Sequence, residues 1–436
     1  MEISVLVLVS VFVVLLFLHV PIAIAIGLAT LGAMLVTIDF IPAVTTMAQR
    51  MGGGINSFAL LAIPFFILSG LLMGRGGIAH RLIEFAKVLV GMFPGGLAFV
   101  NIIACTLFGA ISGSAVAATS AIGGFMIPAM NKEGYDKNFN AAVTVASSTA
   151  GLLIPPSNIL IVFSLASGGV SIAALFVAGY LPGLLLALSL MAVCSVYAIK
   201  NGYPVAAVPN LKEFVKKSIA AIPSLFLIIL VIGGIISGWF TATEASVIAV
   251  LYALLLSVFV YREVKISELP EIFVKSVETT AIVLLLIATS TAMSWMLAYE
   301  NIPQTISEGM MGISDNPFVI LLLINIILLC VGIFMDMTPA VLIFTPIFLP
   351  VAAALGIEPL HFGIMMVLNL CIGLCTPPVG AVLFVGCSIA KTSIASLVKP
   401  LLPLYLAMIA VLMLITYVPQ ITLFLPEITG LYTPKP

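Results

Sequence analysis

Charged side chains are scarce in this 436-residue sequence: Asp, Glu, Lys and Arg together make up 8% of it, against about 25% in soluble proteins. Hydrophobic residues make up 62%, and the mean hydropathy is +1.32. A water-soluble fold of this size could not bury so much apolar surface, so the composition predicts an integral membrane protein. The net charge of −1 and the lack of a basic tract exclude a nucleic-acid-binding protein.

The residues and motifs of common enzymes are also scarce. The sequence has 3 histidines, none near a Gly-x-Ser run, and no Gly-x-x-x-x-Gly-Lys phosphate loop. Its 6 cysteines lack the paired spacing of a disulfide framework or a zinc site, so we interpret them as packing residues. An intramembrane serine protease built on residues 109–114 is the enzymatic alternative, but such an enzyme has no need of the duplicated proline pairs described below. The sequence therefore predicts a protein that is not an enzyme.

Long apolar runs fill most of the chain, and each membrane crossing needs about 20 such residues. We expect full crossings near 3–20, 22–39, 57–74, 139–167, 170–198, 219–237, 241–260, 277–299, 359–389 and 397–420. Two further stretches, 93–130 and 317–353, have small or polar residues in the middle. We interpret both as re-entrant hairpins, with two full crossings each as the alternative. The predicted fold class is therefore an all-α polytopic membrane protein.

The distribution of basic residues predicts the orientation. When the N-terminus is placed outside, every lysine and arginine except Arg50 and Lys435 falls on the opposite side. Basic residues concentrate on the cytoplasmic side of membrane proteins. Both termini are therefore expected to be periplasmic.

The two halves of the chain match at a nearly constant offset. Asn101 corresponds to Asn325, and Gly151–Pro156 corresponds to Gly373–Pro378. We predict a first repeat at 1–200, a cytoplasmic linker at 201–218 and a second repeat at 219–436. Each repeat has an odd number of crossings, so the repeats are inverted, as in many secondary transporters. A short amphipathic stretch before each hairpin, at 78–90 and 302–310, predicts a helix in the membrane interface.

Two proline pairs, Pro155-Pro156 and Pro377-Pro378, lie in the middle of the crossings 139–167 and 359–389. A proline lacks the amide hydrogen that a helix needs, so two in a row predict a broken helix. Irregular backbone at membrane depth is tolerated only where it lines a cavity in the protein. The breaks are therefore expected to present carbonyl oxygens to a cation and the positive starts of half-helices to an anion.

The hairpin tips carry oxygen-bearing side chains, which are the hard ligands that hard cations such as sodium bind. We predict one sodium site in each repeat. The first consists of Ser112, Ser114 and the backbone oxygens around Gly151, Ile154 and Pro156. The second consists of Asp336, Thr338 and the backbone oxygens around Gly373, Thr376 and Val379. Small-residue helix packing is the alternative for the hydroxyl residues.

Asp336 is the most unusual of these residues, because a carboxylate deep in a membrane is costly and marks a functional site. Two alternatives stay open for it: a cap on a half-helix at a shallow tip, or a proton-coupling group. Glu244 differs, because its spacing from Thr241 at the start of a crossing is that of a capping box, which is a structural role.

Together these residues resemble the large, DctM-type membrane subunit of a tripartite ATP-independent periplasmic (TRAP) transporter, over essentially the whole chain. The resemblance rests jointly on Asn56–Phe66, Gly113–Thr119, Gly151–Asn158, Thr241–Ala245, Met335–Pro339 and Gly373–Gly380. It implies a sodium-driven, elevator-type fold in a bacterial inner membrane. It also implies two partners: a small four-span membrane subunit, and a periplasmic substrate-binding protein that delivers an organic acid.

One departure from the family concerns the substrate. Sialate-type members are expected to have an arginine where this chain has Tyr299, so a sialate substrate is disfavoured. The substrate carboxylate is instead expected to meet the starts of the half-helices. The candidate substrate-binding residues are Ser157, Asn158, Pro156, Pro378, Asn56, Tyr299 and Arg50. Arg50 is also interpreted as an exposed periplasmic residue.

The sequence as a whole predicts a sodium-coupled transporter subunit that imports an organic carboxylate handed over by a periplasmic binding protein. A sodium- or proton-coupled dicarboxylate symporter of similar fold, independent of a binding protein, is the alternative. A channel would differ by showing flux without saturation, and a membrane protease would show no transport.

Overall fold

The computed structural model describes residues 3–205, 210–314, 316–377 and 380–433, and these ranges contain helices but no strand. The helices of the first half are α1 (Ile3–Phe17), α2 (Ile22–Thr37), α3 (Phe40–Ile55), α4 (Ala62–Arg75), α5 (Ile78–Val90), α6 (Gly96–Ser112), α7 (Ala115–Lys132), α8 (Lys137–Ala150), α9 (Asn158–Ala166) and α10 (Ile172–Asn201). Those of the second half are α11 (Leu211–Ile236), α12 (Ala242–Leu254), α13 (Leu269–Tyr299), α14 (Ile302–Met311), α15 (Pro317–Phe334), α16 (Met337–Ala354), α17 (Pro359–Leu374), α18 (Ala381–Ala390), α19 (Ile394–Tyr417) and α20 (Gln420–Ile428).

The predicted fold class is confirmed. Among the described residues, 8 helical segments are long and apolar enough to cross a membrane. Helices α6 and α7 form one hairpin and α15 and α16 the other, while the pairs α8–α9 and α17–α18 are the two interrupted helices. The two amphipathic stretches form α5 and α14, as expected. The repeat boundaries at 1–200 and 219–436 stay a prediction.

The structure adds one helix to the predicted elements. Helix α3 is absent from the sequence prediction, because three consecutive glycines at 52–54 have low helix propensity. The cytoplasmic linker at 201–218 stays a prediction, and α11 begins within that range, at Leu211. Asn210 caps this helix, and an ion pair between Glu213 and Lys217 (2.6 Å) supports its polar first turns.

The helices pack into two groups. In the first, α13 contacts α2, α3 and α4, and α12 contacts α4 and α11. In the second, each hairpin packs against the first half of its own interrupted helix, α6 and α7 on α8, and α15 and α16 on α17. The hairpins also cross between halves of the chain, because α7 contacts α18 and α16 contacts α9. Helices α4 and α13 meet the second group at α6 and α16, and the site described below lies at this boundary.

The predicted capping box at the start of α12 is confirmed. Thr241 Oγ1 accepts a hydrogen bond from the Glu244 amide (3.2 Å), and Glu244 Oε2 accepts one from the Thr241 amide (2.8 Å).

We expect Thr241→Ala to lower the free energy of unfolding by about 1 kcal/mol, measured by thermal unfolding in detergent. Thr45→Ala is the control, because that hydroxyl bonds only the Ile41 carbonyl within α3. Equal losses in the two variants would contradict a special role for the cap.

Candidate ion and substrate site

The tip of the first hairpin is a tight turn between α6 and α7. Gly113 has a φ of 62°, a left-handed conformation that glycine adopts without strain. A Cβ at Gly113 would lie 2.8 Å from Asn158 Nδ2, so the tip fits closely against the start of α9. Ser114 caps α7 by accepting a hydrogen bond from the Ala117 amide (3.2 Å), and Ser112 Oγ lies 3.4 Å from the Ser114 carbonyl oxygen. The turn thus brings both predicted serine ligands to the first helix break.

The tip of the second hairpin places Asp336 at the N-cap position of α16. Its side chain makes no capping hydrogen bond with the first turn of that helix. Instead, Asp336 is exposed to a cavity inside the molecule, and Thr338 lines the same cavity. Asp336 therefore borders an internal space, and its roles as an ion ligand, a half-helix cap or a proton-coupling group stay predictions.

The first break, between α8 and α9, has unpaired backbone oxygens. Pro155 and Pro156 have no amide hydrogen, and no amide in the described part of the chain donates to the carbonyl oxygens of Gly151, Ile154 or Pro156. These are the backbone oxygens predicted for the first sodium site. The Ile154 side chain itself packs on α10, where a Cβ at Gly183 would lie 2.5 Å from its Cγ1.

The second break, between α17 and α18, is more fully hydrogen-bonded. The Gly373 carbonyl accepts a hydrogen bond from the Thr376 amide (2.9 Å), and the Thr376 carbonyl accepts one from the Gly380 amide (3.3 Å). The Thr376 hydroxyl donates to a carbonyl in the last turn of α17 (2.8 Å). The predicted site residues Pro378 and Val379 lie outside the described residues. The carbonyls of the two breaks thus differ in how many are already engaged.

Each hairpin crosses its interrupted helix at a pair of glycines. A Cβ at Gly151 would lie 2.6 Å from Gly109 Cα, and a Cβ at Gly373 would lie 2.5 Å from Gly332 Cα. The backbones touch at these points, so the oxygens of each break lie beside a hairpin tip. The predicted site does not include Gly109 and Gly332. The distance between them in the sequence equals the offset between the two repeats, and this match could have identified them.

Both hairpin tips border one central cavity of about 200 Å³. Gly113 and Ser114 line it from the first hairpin, Asp336 and Thr338 from the second, and Asn158 from the start of α9. Helices α4 and α13 close the remaining side with mostly apolar residues: Ile63, Ile67, Thr279 and Val283. Asp336 is the one charged side chain among the described residues of this lining. The central cavity is therefore a mostly apolar space between the two helix groups, with polar groups contributed by both hairpin tips.

A larger cavity of about 530 Å³ adjoins the central one, with which it shares Ser114, Asn158 and Thr279. Its lining includes Arg75 and Lys275, which belong to the side predicted to be cytoplasmic. The central cavity therefore adjoins a space that carries two basic residues. Arg75 is paired with Glu271 at 2.6 Å, whereas Lys275 has no ion pair within the described residues.

The candidate substrate ligands of the first break lie at the start of α9. Asn158 lines the central cavity, and its Oδ1 has no hydrogen-bond partner in the described part of the chain. The Ser157 hydroxyl is also without a partner there, but Ser157 is buried and does not line the cavity. Asn158 is therefore the better placed of the two donors.

The other candidate substrate ligands lie away from the central cavity. Asn56 is exposed at the end of α3 and lines no cavity described here. Tyr299 stacks on Trp295, with ring centroids 5.2 Å apart. Arg50 is exposed, as expected, and lines a separate cavity on the side opposite to Arg75 and Lys275. The geometry thus separates Arg50, Asn56 and Tyr299 from the hairpin tips.

Comparisons with known proteins place the chain in a family. A family model described as "Tripartite ATP-independent periplasmic transporter, DctM component" matches residues 9–421. The uncharacterized protein YgiK of Salmonella typhimurium is 56% identical over 403 residues, which is 92% of each chain. The C4-dicarboxylate TRAP transporter large permease protein DctM of Rhodobacter capsulatus is 40% identical over 419 residues, 93% of this chain and 95% of that one. The isethionate TRAP transporter permease protein DctMQ of Oleidesulfovibrio alaskensis is 42% identical over 400 residues, 92% of this chain and 62% of the relative.

A solved structure supports the fold. The YdaH transporter of Alcanivorax borkumensis, whose topology is described as unusual, superposes with a TM-score of 0.63 over 95% of this chain and 98% of that one. Its 15% sequence identity relates the two by fold alone. The predicted membership and the prediction that the chain is not an enzyme are both confirmed by the family match. The chain belongs to the DctM family, the large permease component of TRAP transporters.

Proposed function

We propose that this chain is the permease of a sodium-coupled transporter that imports a small organic acid. The observation that carries the proposal is the central cavity, where both hairpin tips meet and Asp336 is the one charged residue of the described lining. A carboxylate beside hydroxyls and unpaired carbonyls suits a cation. The negative charge of Asp336 would repel an organic acid unless a cation binds first. Because the cation must bind before the acid, transport of the acid is coupled to transport of the cation.

Sodium would bind once in each repeat. In the first, Ser112 and Ser114 would share the ion with the unpaired carbonyls of the break. In the second, Asp336 and Thr338 would share it with the segment at Gly373 and Thr376. A proton on Asp336 is the second candidate for the coupling ion, because that carboxylate faces the cavity without a capping hydrogen bond.

The acid would bind in the central cavity after sodium. Helices α7, α9 and α16 all begin at its edge, and the positive starts of helices attract carboxylates. Asn158 adds a side-chain amide to these starts. The TRAP relatives named above take C4-dicarboxylates or isethionate, which are small organic anions. A small carboxylate is therefore the substrate class that this cavity fits best.

Transport would follow from a movement of the helix group that holds the hairpins and interrupted helices against the group that contains α4 and α13. A connection between the central cavity and the adjoining space at Arg75 and Lys275 would correspond to an inward-open state. Both termini would then be periplasmic, as the basic-residue distribution predicts.

Two partners complete the proposed system in a bacterial inner membrane. The DctMQ relative is longer than this chain, which spans 62% of it, and a separate small membrane subunit would supply what that relative carries in addition. A periplasmic substrate-binding protein would deliver the acid, in agreement with the family description of a tripartite periplasmic transporter.

Uptake in liposomes tests the coupling ion. We expect the complex of this chain with its small subunit and binding protein to take up radiolabelled acid at least about tenfold faster with an inward sodium gradient than with potassium. A proton gradient without sodium should have no effect. Equal uptake in sodium and potassium would refute sodium coupling, uptake driven by the proton gradient would favour the proton, and uptake that does not saturate with the acid would indicate a channel.

A further inference from the structure

A third cavity, of about 580 Å³, opens on the side opposite to the cytoplasmic basic residues. Helices α3 and α13 form one wall, and α9 and α16 form the other. It has no lining residue in common with the central cavity. This outer cavity therefore lies at the same boundary between helix groups but is a separate space.

Arg50 in α3 is held in place at this cavity. Its guanidinium carbon lies 5.2 Å from the centre of the Trp295 ring, a cation–π geometry, and Trp295 stacks in turn on Tyr299. Within the described residues, no carboxylate oxygen lies within 4.0 Å of Arg50. The guanidinium thus keeps its hydrogen-bond donors free for an anion.

Hydroxyl groups surround the same space. Ser290 in α13 lines the cavity, is 1% exposed, and its hydroxyl has no hydrogen-bond partner in the described part of the chain. Ser294 lies one turn further along α13, and Ser57 faces them from the end of the α3 segment. A buried hydroxyl without a partner is costly, and a ligand in the cavity that Ser290 lines would supply the missing hydrogen bond.

The opposite wall is apolar and consists of Leu165, Ala166, Leu342 and Pro346. A ligand that fits both walls has an anionic end for Arg50 and a less polar body. A carboxylate on the surface of a docked protein is a poorer fit, because Ser290 is almost fully buried. A small organic acid, unlike a protein surface, can enter the cavity that Ser290 lines.

We propose that the outer cavity is a docking site for a small organic acid in its carboxylate form, with Arg50, Ser290 and Ser294 as its ligands. The acid would bind here before it reaches the central cavity, so the site rests on the proposed function. Because its walls belong to the two helix groups, movement between them would change the shape of the site and release the acid.

Tryptophan fluorescence tests this site directly, because the chain contains 2 tryptophans. In a Trp239→Phe background, Trp295 beside Arg50 is the sole tryptophan. With the full-length chain in nanodiscs, we expect succinate or gluconate to change its emission in a saturable manner, while uncharged succinamide has no effect. Arg50→Gln should raise the Kd about tenfold or more, and Ser290→Ala, which leaves the Arg50–Trp295 pair intact, about threefold or more. Lys200→Gln, which removes a distant exposed charge, should leave the Kd unchanged.

The outcomes separate this site from the transport mechanism. Asp336→Asn should abolish sodium-driven uptake but keep the Trp295 response, which would support two separate sites. The docking site is refuted if neither acid gives a saturable response. It is also refuted if Arg50→Gln and Ser290→Ala leave the Kd unchanged. Both conclusions hold even when sodium-driven uptake is intact. A response that requires the acid-loaded binding protein, and not free acid, would likewise refute it in favour of a protein-docking surface.

Discussion

Sodium-driven uptake should fall about a hundredfold or more when Asp336 is replaced by asparagine. The exchange keeps the size of the side chain and one carbonyl oxygen but removes the charge that faces the central cavity. Loss of one charged partner in a site shielded from water costs about 3 kcal/mol, which corresponds to a hundredfold or more in affinity. The measurement is initial uptake into liposomes as a function of sodium concentration.

Asp39→Asn is a matched control for this substitution. Asp39 also lies at the N-cap position of a helix, α3, and also makes no capping hydrogen bond, but it is exposed and lines none of the cavities described above. Its replacement should leave uptake unchanged. Full uptake by Asp336→Asn at the wild-type sodium concentration would remove Asp336 from the coupling mechanism, and unchanged thermal unfolding of both variants would exclude a folding defect as the cause.

The sequence predicts much of this architecture because membrane folding imposes simple rules. Long apolar runs, paired prolines and the basic-residue distribution each follow from the cost of exposing polar groups to lipid. Which cavity a residue faces does not follow from these rules. Arg50, Asn158 and Tyr299 are all plausible carboxylate ligands from their chemistry, but packing assigns Asn158 to the central cavity and Arg50 to the outer one.

The ion sites proposed for the two repeats differ in how they divide their ligands between backbone and side chain. The first break leaves the carbonyls of Gly151, Ile154 and Pro156 without amide partners, and its hairpin tip supplies only hydroxyls. At the second break the carbonyls of Gly373 and Thr376 are engaged, and its hairpin tip supplies a carboxylate. Among the described residues, the proposed site with fewer free carbonyls thus has the stronger side-chain ligand. Sequence symmetry alone could not reveal this difference, because it depends on hydrogen bonds made after folding.

Gly373→Ala should raise the sodium concentration needed for half-maximal uptake about tenfold, because the new methyl group would have no room. Its carbon would lie 2.5 Å from Gly332 Cα and 3.0 Å from the Gly332 carbonyl oxygen, and neither backbone atom can rotate away. The hairpin and the interrupted helix must then separate, at a cost of about 1–3 kcal/mol. That separation would move Asp336 away from the second break. Sodium-dependent uptake and thermal unfolding should both be measured.

Gly124→Ala is the control, because Gly124 is likewise a helical glycine, in the hairpin helix α7, but has no atom within 4 Å of the position of an added Cβ. Alanine favours a helix by about 1 kcal/mol over glycine, so this variant should be at least as stable as the wild type and transport normally. Wild-type sodium dependence in Gly373→Ala would mean that the close crossing does not shape an ion site. Gly151→Ala tests the first repeat in the same way. A raised sodium requirement in this variant supports a first ion site. Lower stability with unchanged sodium dependence would restrict ion binding to the second repeat, with Asp336 as the ligand.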